Sequence, residues 1–106
     1  MLITTTTSVE GKKVTDYKGI VSAEVIVGAN ILKDLFAGIR DIVGGRSAAY
    51  EEELQKAKQL AFDEITSKAQ EMGANAIIAV DLDFETIGQQ GSMLMVCATG
   101  TAVELS

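Results

Sequence analysis

Two stretches near the C-terminus limit what this chain can become. Residues 76–80, AIIAV, and residues 93–103, MLMVCATGTAV, carry almost no polarity on either parity of the run. Alternate side chains of an extended strand point to opposite faces, so a strand with no polar parity must be covered on both sides. Between these stretches the pattern changes. Leu82 and Phe84 alternate with Asp81, Asp83 and Glu85, which predicts burial on one face only. Gly88-Gln89-Gln90-Gly91 then supplies a turn, and the spacing predicts a hairpin of Asn75–Thr86 with Met93–Val103.

The N-terminal part adds more strand. Residues 2–7, LITTTT, are β-branched and predict a short first strand. Val9-Glu10-Gly11-Lys12-Lys13 reads as a turn, with Gly11 available for a positive φ. Val14–Val27 is a long strand. Tyr17, Gly19, Val21, Ala23, Val25 and Val27 make its apolar face, and Asp16, Lys18, Ile20, Ser22, Glu24 and Ile26 its mixed face.

Two helical runs lie between the strands. Residues 31–43 place Leu32, Leu35, Phe36, Ile39 and Val43 on one stripe, with Asn30 as N-cap and Gly44-Gly45 as the stop. The second run has Ser47 as N-cap and Glu51-Glu52-Glu53 in its N-terminal half. Its stripe is Tyr50, Leu54, Ala57, Ala61, Ile65, Ala69 and Met72, edged by Leu60 and Phe62, and Gly73 ends it. A helix from Ala48 to Met72 would be ~38 Å long, too long for a compact domain of ~13 Å radius of gyration. It must overhang or pack along neighbours in an assembly.

Together these elements form one domain over residues 1–106, of α+β class: an antiparallel sheet with two helices on one face, in the order β-(β)-α-α-β-β. One helical layer closes one face of the sheet. Closing the other face with copies of the same chain predicts a homo-oligomer. The alternative is a monomer whose helices wrap to both faces.

Composition narrows the function. The net charge of −6 argues against nucleic acid and against an anionic membrane surface. No apolar run reaches the ~20 residues that cross a bilayer, and the N-terminus has no leader pattern. A single cysteine, Cys97, fits a reducing compartment, so the cytoplasm is expected. With no histidine, no base is offered for catalysis, and Cys97 has no cationic neighbour in sequence to activate it. The expectation is a protein that is not an enzyme.

Three constellations are candidate sites. Gly44-Gly45-Arg46-Ser47 at a helix start, with Arg40, Asp41 and Tyr50 nearby, would suit an anion through free N–H groups and a guanidinium. The plainer reading is a helix–helix corner in which Arg46 pairs with Asp41 or a neighbouring subunit. It is no Walker motif, having no lysine and no strand before the glycines. Met93, Met95 and Cys97 share one strand face and would suit Cu(I); as plain apolar filler they need no ligand. Asp81, Asp83 and Glu85 would suit Mg²⁺ or Ca²⁺, or serve only to keep a strand face solvated. No cofactor is required by any of these.

The segments GANILKDLFAGIRDIVGGRSAAYEEEL, GANAIIAVDLDFETIG, GSMLMV and GTAV carry a resemblance as well. From about Thr4 to Val103 the chain resembles the YbjQ-like family of small bacterial and archaeal proteins. The resemblance implies a fold like the dodecin subunit, ring-shaped pentamers and a heavy-metal-binding label. The first reading is an oligomeric ligand-binding or structural protein, with metal binding, as the family label implies, as the alternative; an enzyme with an inter-subunit site around Arg40, Asp41, Arg46 and Tyr50 is the third. Dodecin stores flavin, but five aromatic residues in the whole chain leave little to stack on such a ring.

Overall fold

The computed structural model describes residues 1–28, 42–43, 46–88 and 93–106, with side chains described for all of these except 42–43 and 46–50. Its elements are β1 (Leu2–Ile3), β2 (Val14–Val27), β3 (Ile42–Val43), β4 (Arg46–Ser47), α1 (Ala48–Glu71), β5 (Ala76–Ile87) and β6 (Met93–Leu105). Four strands form one sheet in the order β1-β5-β6-β2, and β3 and β4 form a separate two-stranded pair. The fold is α+β, as the sequence predicts.

The predicted hairpin is present, with β5 antiparallel to β6, and β2 lies antiparallel on the other side of β6. β1 is far shorter than the six residues expected. It runs parallel to β5, with Leu2 opposite Ala76 and Ile3 opposite Ile77, so the sheet is mixed rather than antiparallel. Edge position explains this. Residues 4–13 cross one end of the sheet to enter β2 on the far edge, with Gly11 at φ +77° in their turn.

Of the two helices expected, the described residues contain one, α1. Most of the helix predicted over 31–43 lies outside the described residues, and its last two residues, Ile42 and Val43, form β3. They pair antiparallel with Ser47 and Arg46. The flanks of Gly44-Gly45 therefore run side by side as strands, not as the ends of two helices. A strand does precede these glycines. Gly-Gly suits a two-residue hairpin connection as well as a helix stop, and local sequence does not distinguish them.

α1 covers the inner face of the sheet. Ala57, Ala61, Ile65 and Ala69 are buried against Val21, Ala23, Val27, Ile77, Val80, Leu94, Val96, Ala98 and Ala102, with Leu54, Phe62 and Leu82 at the margin. Small residues on the helix stripe let its backbone approach the sheet closely. The helix ends where predicted. The Ala74 N–H donates to the Ala69 carbonyl and the Gly73 N–H to the Gln70 carbonyl, with Gly73 at φ +80°. This is the left-handed C-terminal cap that glycine favours.

Among the described residues, the outer face is covered at one end. There Ala76, Ile78 and Val103 are buried against Val9 of the N-terminal segment, Val14 at the start of β2 and Leu105 at the end of β6. Strict alternation would have put Ile78 and Val80 on one face. Instead a bulge lies between Ile78 and Asp81, and Ala79 takes a left-handed conformation at φ +53°. Ile77 and Val80 consequently both face the helix. The left-handed region costs a non-glycine residue roughly 1 kcal/mol. Gly100 lies opposite. A Cβ there would stand 2.6 Å from Ile77 Cγ2 and 3.1 Å from Val80 Cγ2. A second shift, between Tyr17 and Gly19, pairs Tyr17 with Val103 on the outer face and leaves it exposed. Tyr17 was expected in the core.

Candidate functional site

Beyond its covered end, the outer face brings two of the predicted constellations together. Asp83 on β5 is opposite Cys97 on β6, and Glu24 on β2 is opposite Cys97 from the other side. One step along, Glu85 and Ile26 flank Met95; in the other direction Asp81 and Ser22 flank Thr99. Met93 continues the row opposite Ile87. The soft donors and the carboxylates are thus interleaved on one surface, and Glu24, absent from the sequence-based candidates, completes the row. Its only sequence signal is its place on the mixed face of β2. Its register against Cys97 is set by the tertiary pairing.

The electrostatics follow from this arrangement. Partial burial pushes the Cys97 thiol up, and the charges of Glu24, Asp83, Glu85 and Asp81 push it further. The Asp83 carboxyl is raised by a hydrogen bond with Asp81, then by the Asp81 charge, burial and the Glu85 charge. The lysine pairs in the structure lie elsewhere: Lys18 with Asp16 and Glu104, Lys56 with Glu52 and Glu53, and Lys68 with Glu64. Neighbouring carboxylates hold protons more tightly when no cation offsets them. Cys97 is accordingly a protonated thiol at neutral pH.

A metal fits this row only in part. Thiol, thioether and carboxylate are the right donor types for a borderline or soft cation. Among the described residues, however, no three His, Cys, Asp or Glu side chains converge as a metal site requires. Flat cross-strand rows space donors along the sheet instead of around a point. The described residues do not contain a complete site.

The third constellation is not assembled by the described structure. Arg40, Asp41, Gly44 and Gly45 lie outside the described residues. Arg46 and Ser47 are paired in β4, and Tyr50 is in the first turn of α1. Ser47 directly precedes the helix, as an N-cap must. On the inner side of the β2 edge, a groove of about 200 Å³ runs between Val25–Val27 and Glu53, Lys56, Ala57 and Leu60 of α1.

A family model described as "Putative heavy-metal-binding" matches residues 1–106, the whole chain. The chain belongs to the YbjQ family. A crystal structure of a protein of unknown function of the DUF74 family, from Pediococcus pentosaceus ATCC 25745, is similar in fold. The TM-score is 0.59 and the identity 19%, over 100% of this chain and 98% of that one. DUF74 and YbjQ denote the same family. At this identity the likeness speaks for the fold alone. Among the described residues of this YbjQ chain, no helix is long and apolar enough to cross a membrane.

Proposed function

We propose that this YbjQ protein is a non-enzymatic homo-oligomer, a ring of subunits that binds a small ligand or serves a structural role. The observation that carries this is the edge strand β2. It is 14 residues long, and among the described residues only β6 pairs with it. Ile20 and Ile26 point outward from it at 79% and 56% exposure. A long open edge is a template for pairing, and proteins seldom leave one uncovered. The radius of gyration, 16.7 Å, exceeds the ~13 Å expected of a compact chain of about 100 residues. The other sheet edge is different in sequence and shape, and a head-to-tail contact between unlike edges closes into a ring when the rotation between copies closes. The family resemblance implies five copies, and the single cysteine fits the reducing cytoplasm. Light scattering tests the proposal. A mass several times 11.2 kDa is expected, and a monomer at micromolar concentration overturns it.

A second reading, metal binding, is favoured by the Glu24–Cys97–Asp83 row. Since the described residues hold no complete site, a neighbouring copy is the source of further donors in this reading. Metal analysis of untagged protein beside Cys97→Ser tests it: stoichiometric metal lost in the variant supports the reading, and equal sub-stoichiometric metal in both disposes of it.

A further inference from the structure

We infer that the N-terminal segment is a latch that fixes the register of β5, and thereby decides which face of the sheet carries Asp81, Asp83 and Glu85. The inference does not depend on oligomerisation or metal binding.

The bulge is where the register is set. Before it, Ile77 faces the helix; after it, Val80 does. Without the bulge, every residue beyond it would move to the opposite face, because the side-chain period of a strand is two. Asp81, Asp83 and Glu85 would then turn toward the helix, and Leu82 and Phe84 toward the outer face. The burial pattern of Leu82 against Asp81, Asp83 and Glu85 favours this register, but it does so at the cost of a left-handed Ala79, where alanine favours the extended conformation. The N-terminal segment supplies a further constraint. The Ala79 N–H donates to the Thr6 carbonyl at 2.8 Å and the Val80 N–H to the Thr4 carbonyl at 3.0 Å. Both groups are thereby bonded where the ladder to β6 is interrupted. The Thr4 N–H donates in turn to the Ile77 carbonyl at 3.0 Å. The segment braces itself: the Thr4 and Thr6 hydroxyls are 2.9 Å apart, and the Thr6 hydroxyl donates to the Ser8 carbonyl at 2.6 Å. Gly100 leaves room for both Ile77 and Val80 across the strand. The latch therefore grips the backbone at the bulge of β5.

The test uses the full chain. Thr4→Pro removes one N–H of the latch, and Ile3 before it is already extended, as a residue preceding proline must be. Hydrogen exchange in the wild type should show the amides of Ala79 and Val80 protected, opening together with those of 81–87. In Thr4→Pro these amides should exchange about five- to tenfold faster relative to those of the β2–β6 ladder. The Asp83–Cys97 cross-strand contact, read by NMR, should give way in part to Leu82–Cys97 or Phe84–Cys97. Adding Ala79→Gly should restore the native contact, since glycine adopts positive φ without strain. Unchanged relative exchange and register in Thr4→Pro overturn the inference. If that variant does not fold, the wild type decides: Ala79 and Val80 exchanging freely while 81–87 remain protected would equally overturn it.

Discussion

Asp83 lies directly across the β5–β6 ladder from Cys97, with Glu24 opposite the same cysteine on β2. Partial burial, with these carboxylates beside it, raises the thiol above its ordinary value, and this governs how the outer face behaves toward reagents and pH.

Alkylation of Cys97 should be slow at pH 7–8 compared with an unhindered thiol, and the rate should still be rising above the ordinary thiol pKa. Removing the carboxylates by Glu24→Gln with Asp83→Asn should shift the midpoint downward. Because partial burial is the largest cause of the raised value, the midpoint should stay above the usual range. A pH–rate profile with iodoacetamide reads both effects.

Asp83 predicts a pH dependence of stability. Its folded carboxyl binds a proton more tightly than the ordinary value of 3.8, mainly through Asp81. The folded state therefore holds more protons than the unfolded one in the window just above that value. Stability contributed by this group is present below the unfolded pKa and lost as pH rises through the folded pKa. Asp83→Asn should raise the thermal midpoint at pH 7 and leave it nearly unchanged at pH 3.5. An equal effect at both pH values would contradict the assignment.

Gly100→Ala should destabilise the fold by ~1–3 kcal/mol, since its methyl group would overlap Ile77 and crowd Val80. Urea unfolding measures this. Gly28→Ala is the comparison, as nothing lies within 4 Å of a Cβ there.

Asn75 closes the end of the β5–β6 hairpin with its side chain. Its Nδ2 donates to the Leu105 carbonyl at 2.9 Å, and its Oδ1 accepts from the Leu105 N–H at 2.8 Å. Losing this pair in Asn75→Ala should cost about 1–2 kcal/mol, with the loss of protection concentrated at Leu105 in hydrogen exchange.

Much of the fold was legible because its signals are local. The run Val14–Val27, the helix beginning at Ala48 and the strand beginning at Met93 follow from periodicity, capping residues and glycine stops. The inner face follows from the stripe Ala57, Ala61, Ile65 and Ala69. The candidate donors were legible only as separate strings. Period two groups Met93, Met95 and Cys97, and separately Asp81, Asp83 and Glu85, but not which string lies against which.

Tertiary structure decided the remainder. A register between strands distant in sequence has no local signature, so Glu24 became a neighbour of Cys97 only once β2 was placed beside β6. A bulge inserts one residue and reverses the parity of everything beyond it. Ala79 looks in sequence like any strand alanine, and its left-handed conformation depends on bonds from Thr4 and Thr6. The Gly44-Gly45 flanks show the same limit: two glycines permit several backbone paths, and the pairing of Ile42–Val43 with Arg46–Ser47 chose one. Sequence by itself determined which segments are strand and helix and which residues want burial. The folded chain determined which side chains meet, because that depends on long-range pairing energies that no short window contains.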